Sequence, residues 1–327
     1  MPVSLIVLIL FIFAFGAIIG SFLNVVILRA FSGESIVLPP SKCPKCHNKL
    51  KWWHNIPILS YLLLRGKCWF CKEKISIQYP IIEFITGLIF VAIFFKYGLR
   101  IESLFAAAIA SLLIVISVTD IKERVVFDFH TYSLVGVGLI YGIYLTALQV
   151  ISAHNSLYGF SVTTDWLIHN PLTSSLLGII AGVIIMEIAA RIGYLVAGTR
   201  AFGEGDTYIA AGLGAVFGLM DVLVILALSV AIQLLFTLPV FIKKLVVKKE
   251  YSVLISLVAF FVYAGIFYVI QSRIENFALL LTGAVILGLL GMYTCWRIIE
   301  GLKNPDEMTY LPFGPAMAIA GLIMLLI

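Results

Sequence analysis

Charge is scarce in this chain: Asp, Glu, Lys and Arg make up 12% of its 327 residues, against 62% hydrophobic ones. A water-soluble domain carries about twice that share of charge, so the composition excludes a globule that hides its apolar side chains in one aqueous core. The bilayer is the solvent such a sequence needs. Cysteine is scarce too, at five. Four of the five crowd into one basic loop, which excludes the disulfide scaffold of a secreted protein and points to metal in a reducing compartment. No low-complexity tract or linker sets off a second membrane domain.

Long apolar runs recur from end to end. In lipid each must be a helix, because only a helix or a closed barrel satisfies its backbone hydrogen bonds without water. The expected fold is all-α, a polytopic integral membrane bundle of about ten transmembrane helices. The spans are read as Val3 to Leu28, Pro80 to Phe95, Glu102 to Thr119, Thr131 to Ile151, Leu172 to Ala197, Thr207 to Met220, Asp221 to Ile242, Tyr251 to Gln271, Phe277 to Ile298 and Pro312 to Ile327. The opening run is too long for a signal peptide and lacks its basic start, so it is read as the first span.

Basic residues in short loops are retained on the cytoplasmic side. Nine of them between Arg29 and Lys74, against Glu34 and Glu73, place the first loop in the cytoplasm. The alternation then puts Lys122, Arg124, Arg191 and Arg200 inside and the Lys- and Arg-free stretch from Ser152 to Pro171 outside. A turn near Met220 and Asp221 is expected, since it keeps Lys243, Lys244, Lys248 and Lys249 inside.

Cys43, Cys46, Cys68 and Cys71 form two C-x-x-C pairs separated by 21 residues. Four thiolates suit tetrahedral zinc, and a closed Cys₄ site is structural rather than catalytic. The basic residues around it offset the charge of the metal–thiolate group and favour anionic lipid head groups. His47 and His54 stand nearby as rival ligands, and Cys295, within an apolar run, reads as an inert buried thiol.

Ionisable residues at the edge of hydrocarbon are functional candidates. Asp120 ends the third span in SVTDIKERVVFD, and Asp206 follows the fifth in AFGEGDTYIAAGLGAVFG. Two carboxylates on one water divide the work of peptide hydrolysis: one, ionised, activates the water, and the other, protonated, donates to the scissile carbonyl. Gly203 and Gly205 are expected to let backbone approach substrate through φ values closed to other residues. Gly212, Gly214 and Gly218 permit tight helix packing. On these residues alone a second reading stands, in which each aspartate is a solvated helix end. A third makes Asp120, Asp206, Glu187 and Arg191 the ion path of a transporter with a zinc clip, although Glu187 and Arg191 also suit a simple pair four residues apart.

The stretches GSFLNVVILR, SKCPKC, HNIPILSYLLLRGKCWFCK and ISIQYPIIEF resemble the N-terminal region of the type IV prepilin peptidases, GxGD membrane aspartyl proteases. Asp120 and Asp206 match that family's two catalytic aspartates, and LPFGPAMAIAGLI resembles its final helix. GxGD proteases with other substrates generally lack the tetracysteine loop. The resemblance implies a bifunctional enzyme of the bacterial cytoplasmic membrane. It would cleave the basic leader of type IV prepilins or type II secretion pseudopilins, then N-methylate the new terminus with S-adenosylmethionine, whose binding residues the sequence does not name. Its expected partners are those substrates and membrane lipids, with no nucleic acid. The expected organisation is a first helix at 1–28, a cytoplasmic zinc module at 29–79 associated with methylation, and a protease core at 80–327 with an inserted hairpin at 251–298. Tyr208 stands where the family usually has Lys, and Phe127 where it has Pro before Asp128.

Overall fold

The structure, a computed structural model, describes residues 3–38, 40–154, 170–197, 203–247, 251–270 and 312–327, with a few separate residues between 279 and 293. Cys295, Arg200, Lys248, Lys249, and most of the loop from Ser152 to Pro171 and of the span from Phe277 to Ile298 lie outside the described residues.

The described residues form helices α1 (Val3–Ser32), α2 (Leu59–Leu63), α3 (Gln78–Tyr97), α4 (Ile101–Glu123), α5 (Asp128–His154), α6 (Pro171–Ala197), α7 (Glu204–Val247), α8 (Tyr251–Ile270) and α9 (Gly314–Leu326). Among them there is no strand, only two isolated bridges in the first loop. Six helices, α1 and α3 to α7, are long and apolar enough to cross a membrane. The chain is a multi-pass helical membrane protein.

Two compact units divide it, and neither follows the order of the chain. The first comprises residues 1–187, 204–229 and 312–327, and the second residues 188–203 and 230–311. The first unit centres on α4, which buries Ala106, Ile109, Ala110, the run Leu113–Ile116, Thr119 and Asp120. Helices α1, α3, α5 and α9 all pack on it. The far end of α9 is closed by α3, whose Lys96 Nζ and Tyr97 hydroxyl both donate to the Leu325 carbonyl at 3.0 Å. Those donors satisfy a carbonyl that a helix C-terminus otherwise leaves without a partner.

With lipid outside, helices gain nothing from hydrophobic burial against one another and hold together by close packing. Small residues make that possible. A Cβ on Gly214 would collide with the Gly178 backbone, and one on Gly182 with the Ala210 carbonyl, so α6 and α7 meet backbone to backbone. Gly212 leaves room for Leu134 of α5, and Gly16 and Gly20 of α1 leave room for Phe90, Glu83 and Thr86 of α3.

Helix α7 has 44 residues, about twice the number that one crossing of the hydrocarbon needs. Its backbone breaks at Gly218, with φ 82° and ψ −174°, two residues before the turn expected near Met220. The amide of Leu219 donates to Ser174 Oγ at 3.3 Å, so the break does not strand a donor. The second unit contains α8 and the remainder of α7 beyond Ser229.

Packing of this kind makes a sharp contrast between glycines. Gly214→Leu should sharply lower the yield of folded protein in detergent, because the atoms it meets are backbone. Gly136→Ala, whose new Cβ meets nothing within 4 Å, should leave thermal stability unchanged or raise it by up to about 1 kcal/mol. Equal yields of the two variants would contradict the close approach of α6 and α7.

Candidate active site and tetracysteine module

Asp120 occupies the last turn of α4 and is only 5% exposed. The helix stops four residues later because Arg124, at φ 56° and ψ 36°, takes the left-handed position and returns its N–H to the Asp120 carbonyl at 2.9 Å. Left-handed C-caps are usually glycine; here an arginine takes that place four residues beyond Asp120. Phe127 packs edge-on against Phe31 of α1 with ring centres 5.3 Å apart. It also accepts the His130 amide, so it joins the connecting segment to α1 and starts α5.

Asp206 lies in the first turn of α7 and is half-buried. Three contacts bring that turn to Asp120 and its loop. A Cβ on Gly205 would sit 2.6 Å from the Val126 Cβ. The rings of Tyr208 and Tyr132 meet at 5.8 Å. At the start of α9, a Cβ on Gly314 would collide with Asp120 Oδ2 and lie 3.1 Å from Ile209, one turn beyond Asp206. The Gly314 backbone N–H also reaches the Asp120 carboxyl. The ends of α4, α7 and α9 therefore converge.

Gly205 does this differently from the sequence expectation. It is helical with no positive φ, and what it supplies is the missing Cβ that admits Val126. Gly203 is exposed and belongs to the second unit. Asp128 opens α5, with Thr131 Oγ1 donating to its backbone carbonyl at 3.0 Å.

Two residues here were not singled out by sequence. His130 Nδ1 and Thr207 Oγ1, like Asp120 Oδ2, are buried side-chain atoms that find no hydrogen-bond partner among the described residues. Buried polar atoms are nearly always paired, so three orphans in the turns around Asp120 and Asp206 mark a place where polar atoms are reserved. A histidine in the first turn of an apolar span, and a threonine beside a candidate acid, were the available signals.

In the first loop, the four cysteine sulfurs lie within 4.8 Å of one another, with Cys43 and Cys71 Sγ 3.9 Å apart. Tetrahedral zinc with Zn–S bonds of about 2.3 Å needs sulfurs about 3.8 Å apart, so the set fits that metal. The two pairs are built alike. His47 donates its amide to the Cys43 carbonyl and Lys72 donates to Cys68, both with positive φ. The bridges Lys42–Lys49 and Lys67–Lys74 close the two turns. Backbone N–H groups, that of Cys71 foremost and then Phe70, work against burial to bring the Cys68 thiol down to about 7. Within the same cluster the Cys71 thiol is pushed the other way, up to about 11, so one proton is shared among the sulfurs. Among the described residues no histidine joins the set: His47 is exposed, and His54 sits against Trp53, Trp69 and Phe70.

One buried acid ties the module to the spans, and a buried amide joins α1 to the start of α3 beside it. Glu83 of α3 accepts the Ile58 N–H at 2.7 Å through Oε2. Asn24 of α1, 1% exposed, donates to the carbonyls of Gly20 and Tyr79 at 3.2 Å. Ile58 has φ 61° and ψ −51°, a conformation that a β-branched residue adopts only when its surroundings enforce it. The sequence shows Glu83 as an acid near a span's edge; its partner, 25 residues away, is visible only in three dimensions.

A bundle of apolar helices in which two aspartate-bearing turns meet, joined to a loop with four clustered cysteines, defines a class of membrane protein, and comparison with known proteins narrows it. Residues 14–97 match the bacterial peptidase A24 N-terminal domain, and residues 107–238 match the type IV leader peptidase family. The chain is 33% identical over 243 residues to a prepilin leader peptidase/N-methyltransferase of Neisseria gonorrhoeae, covering 67% of this chain and 77% of that protein. It is 30% identical over 214 residues to one of Klebsiella pneumoniae, covering 64% and 84%. It is 34% identical over 205 residues to one of Myxococcus xanthus, of which it spans about half, 55%. No solved structure matches the chain. The chain belongs to the type IV leader peptidase family.

Metal analysis of freshly prepared, reduced protein should find one zinc per chain, and none after all four cysteines become Ser. Substoichiometric zinc in the unmodified protein, or full zinc in the quadruple variant, would contradict a Cys₄ site.

Proposed function

We propose that this protein cleaves the basic leader of type IV prepilins or secretion pseudopilins at the cytoplasmic face of the bacterial inner membrane, using Asp120 and Asp206 as an aspartyl dyad. It then N-methylates the exposed terminus. The observation that carries the cleavage reading is the meeting of the two aspartate-bearing turns around Gly314. The names of the matched relatives support both activities.

Two carboxyls close to one water do not both ionise cheaply. The ionised one removes a proton from the water as its oxygen attacks the scissile carbonyl carbon. The protonated one donates to the carbonyl oxygen as charge develops there. Collapse of the tetrahedral species breaks the C–N bond, and a carboxyl proton passes to the departing amine. Asp120, buried against Gly314, is the less hydrated of the two. Gly203 precedes this turn and Gly205 holds it against Val126, so both support the site without chemistry of their own. Residues 29–79 carry the zinc module that we associate with methylation, and residues 80–327 the protease. S-adenosylmethionine is the methyl donor this reading implies; the described residues single out no pocket for it, and cleavage makes no use of it.

Asp120→Asn and Asp206→Asn should each lower cleavage of a prepilin at least about a thousandfold, since members of a catalytic unit fail together, while the protein still reaches the membrane. Asp128→Asn should keep substantial activity. Near-normal processing by either of the first two variants would remove that aspartate from the mechanism.

A further inference from the structure

We propose that the tetracysteine module does not stand free in water but is seated on the bilayer, with α2 and the tryptophan-bearing turns around it resting among anionic lipid head groups. Three observations carry this: where the module is tied, what it leaves uncovered and how it is charged.

The tie fixes its depth. Glu83 lies in the second turn of a spanning helix, and the N–H it accepts belongs to Ile58, the residue immediately before α2. The Asn24 bond to Tyr79 closes the same junction from α1. Helix α2 therefore begins beside the first turns of α3 and the Gly20–Asn24 stretch of α1, within the reach of the bilayer and its head groups, and not at the far end of a long loop.

Leu59, Leu62 and Leu63 are spaced to share one face of α2, and all three are exposed, Leu63 at 81%. Trp52 is 80% exposed, and Trp69 and Phe70 are also uncovered. The metal does not require these side chains, because backbone hydrogen bonds build both cysteine turns. In water such a face on so small a module is a liability. At a membrane interface tryptophan is the favoured residue, and short apolar faces bind by burying a few ångströms into the head-group boundary.

Charge selects the occupant. Lys42, Lys45, Lys49, Lys51, Arg65, Lys67, Lys72 and Lys74 face only Glu34 and Glu73 in the same module, and Lys72 Nζ lies 5.2 Å over the Trp69 ring. Basic residues beside membrane-embedded apolar ones are attracted to anionic lipid. The same charge repels a basic leader peptide, which disfavours substrate as the partner of this face.

Tryptophan fluorescence in nanodiscs tests this. Replacing Trp166 and Trp296 with Phe in the full chain leaves Trp52, Trp53 and Trp69, all in the module. In discs containing phosphatidylglycerol whose acyl chains are brominated near the ester end, emission should fall by about twofold or more relative to unbrominated discs. Quenching should weaken in discs of phosphatidylcholine alone. Leu62→Asp with Leu63→Asp should remove most of it while zinc stays at one per chain, a readout that the module remains folded. Unquenched emission at the wavelength of water-exposed tryptophan would overturn the proposal, and so would quenching that is equal in the two lipids. Displacement of the quenching by a basic leader peptide would overturn it in favour of a peptide-binding face.

Discussion

The contact between Gly314 and the Asp120 carboxyl is the constraint on which the site depends. An acid at the end of a spanning helix normally turns to water. Here it is buried because α9 begins with a residue that has no side chain, and the same glycine lies against Ile209 of α7. Any larger residue at position 314 separates α4 from α7. The glycine contacts farther along the bundle, Gly178 with Gly214 and Gly182 with Ala210, extend the same requirement. Helices in lipid adhere through close packing, so the packing that holds the first unit together is also what sets the aspartate-bearing turns near each other.

Much of this was legible in the sequence for a simple physical reason. Apolar runs declare spans because lipid permits few backbone conformations. The two C-x-x-C pairs declare a metal site because their spacing is local. Asp120 and Asp206 stand out because charge is rare around them. What escaped depends on contacts between distant segments. Glu83 reads as an interfacial acid until its bond to Ile58 is seen, and His130 and Thr207 read as ordinary polar residues at helix starts. Gly205 showed the limit of reasoning from residue type alone. Glycine suggests unusual φ, yet here Gly205 serves by what it lacks, a Cβ opposite Val126. The break in α7 was anticipated from the lysines beyond it, and its position at Gly218 reflects the one residue there that tolerates φ 82°.

The zinc module and the membrane core form one construction. Glu83 and the strained Ile58 join them through one hydrogen bond near the start of α3, beside the Asn24 bond that holds α1 to α3. Small modules without a large apolar core depend on a metal, and this one has a second support in the spans themselves. On the proposed reading, that arrangement keeps the cysteine turns beside the membrane surface, where a newly cleaved terminus would emerge from a site at the ends of α4 and α7.

The central claim is that Asp120 and Asp206 act on one water. Its most direct measurement is the affinity of a leader peptide in which a hydroxyl-bearing carbon replaces the scissile carbonyl, titrated against the purified protein and its Asp120→Asn and Asp206→Asn variants. Such an analogue of the tetrahedral species should bind the unmodified protein about a hundredfold or more tighter than an uncleavable amide of the same sequence. That advantage should disappear in both variants. An advantage that survives intact in either one would show that the two carboxyls do not share the reacting centre.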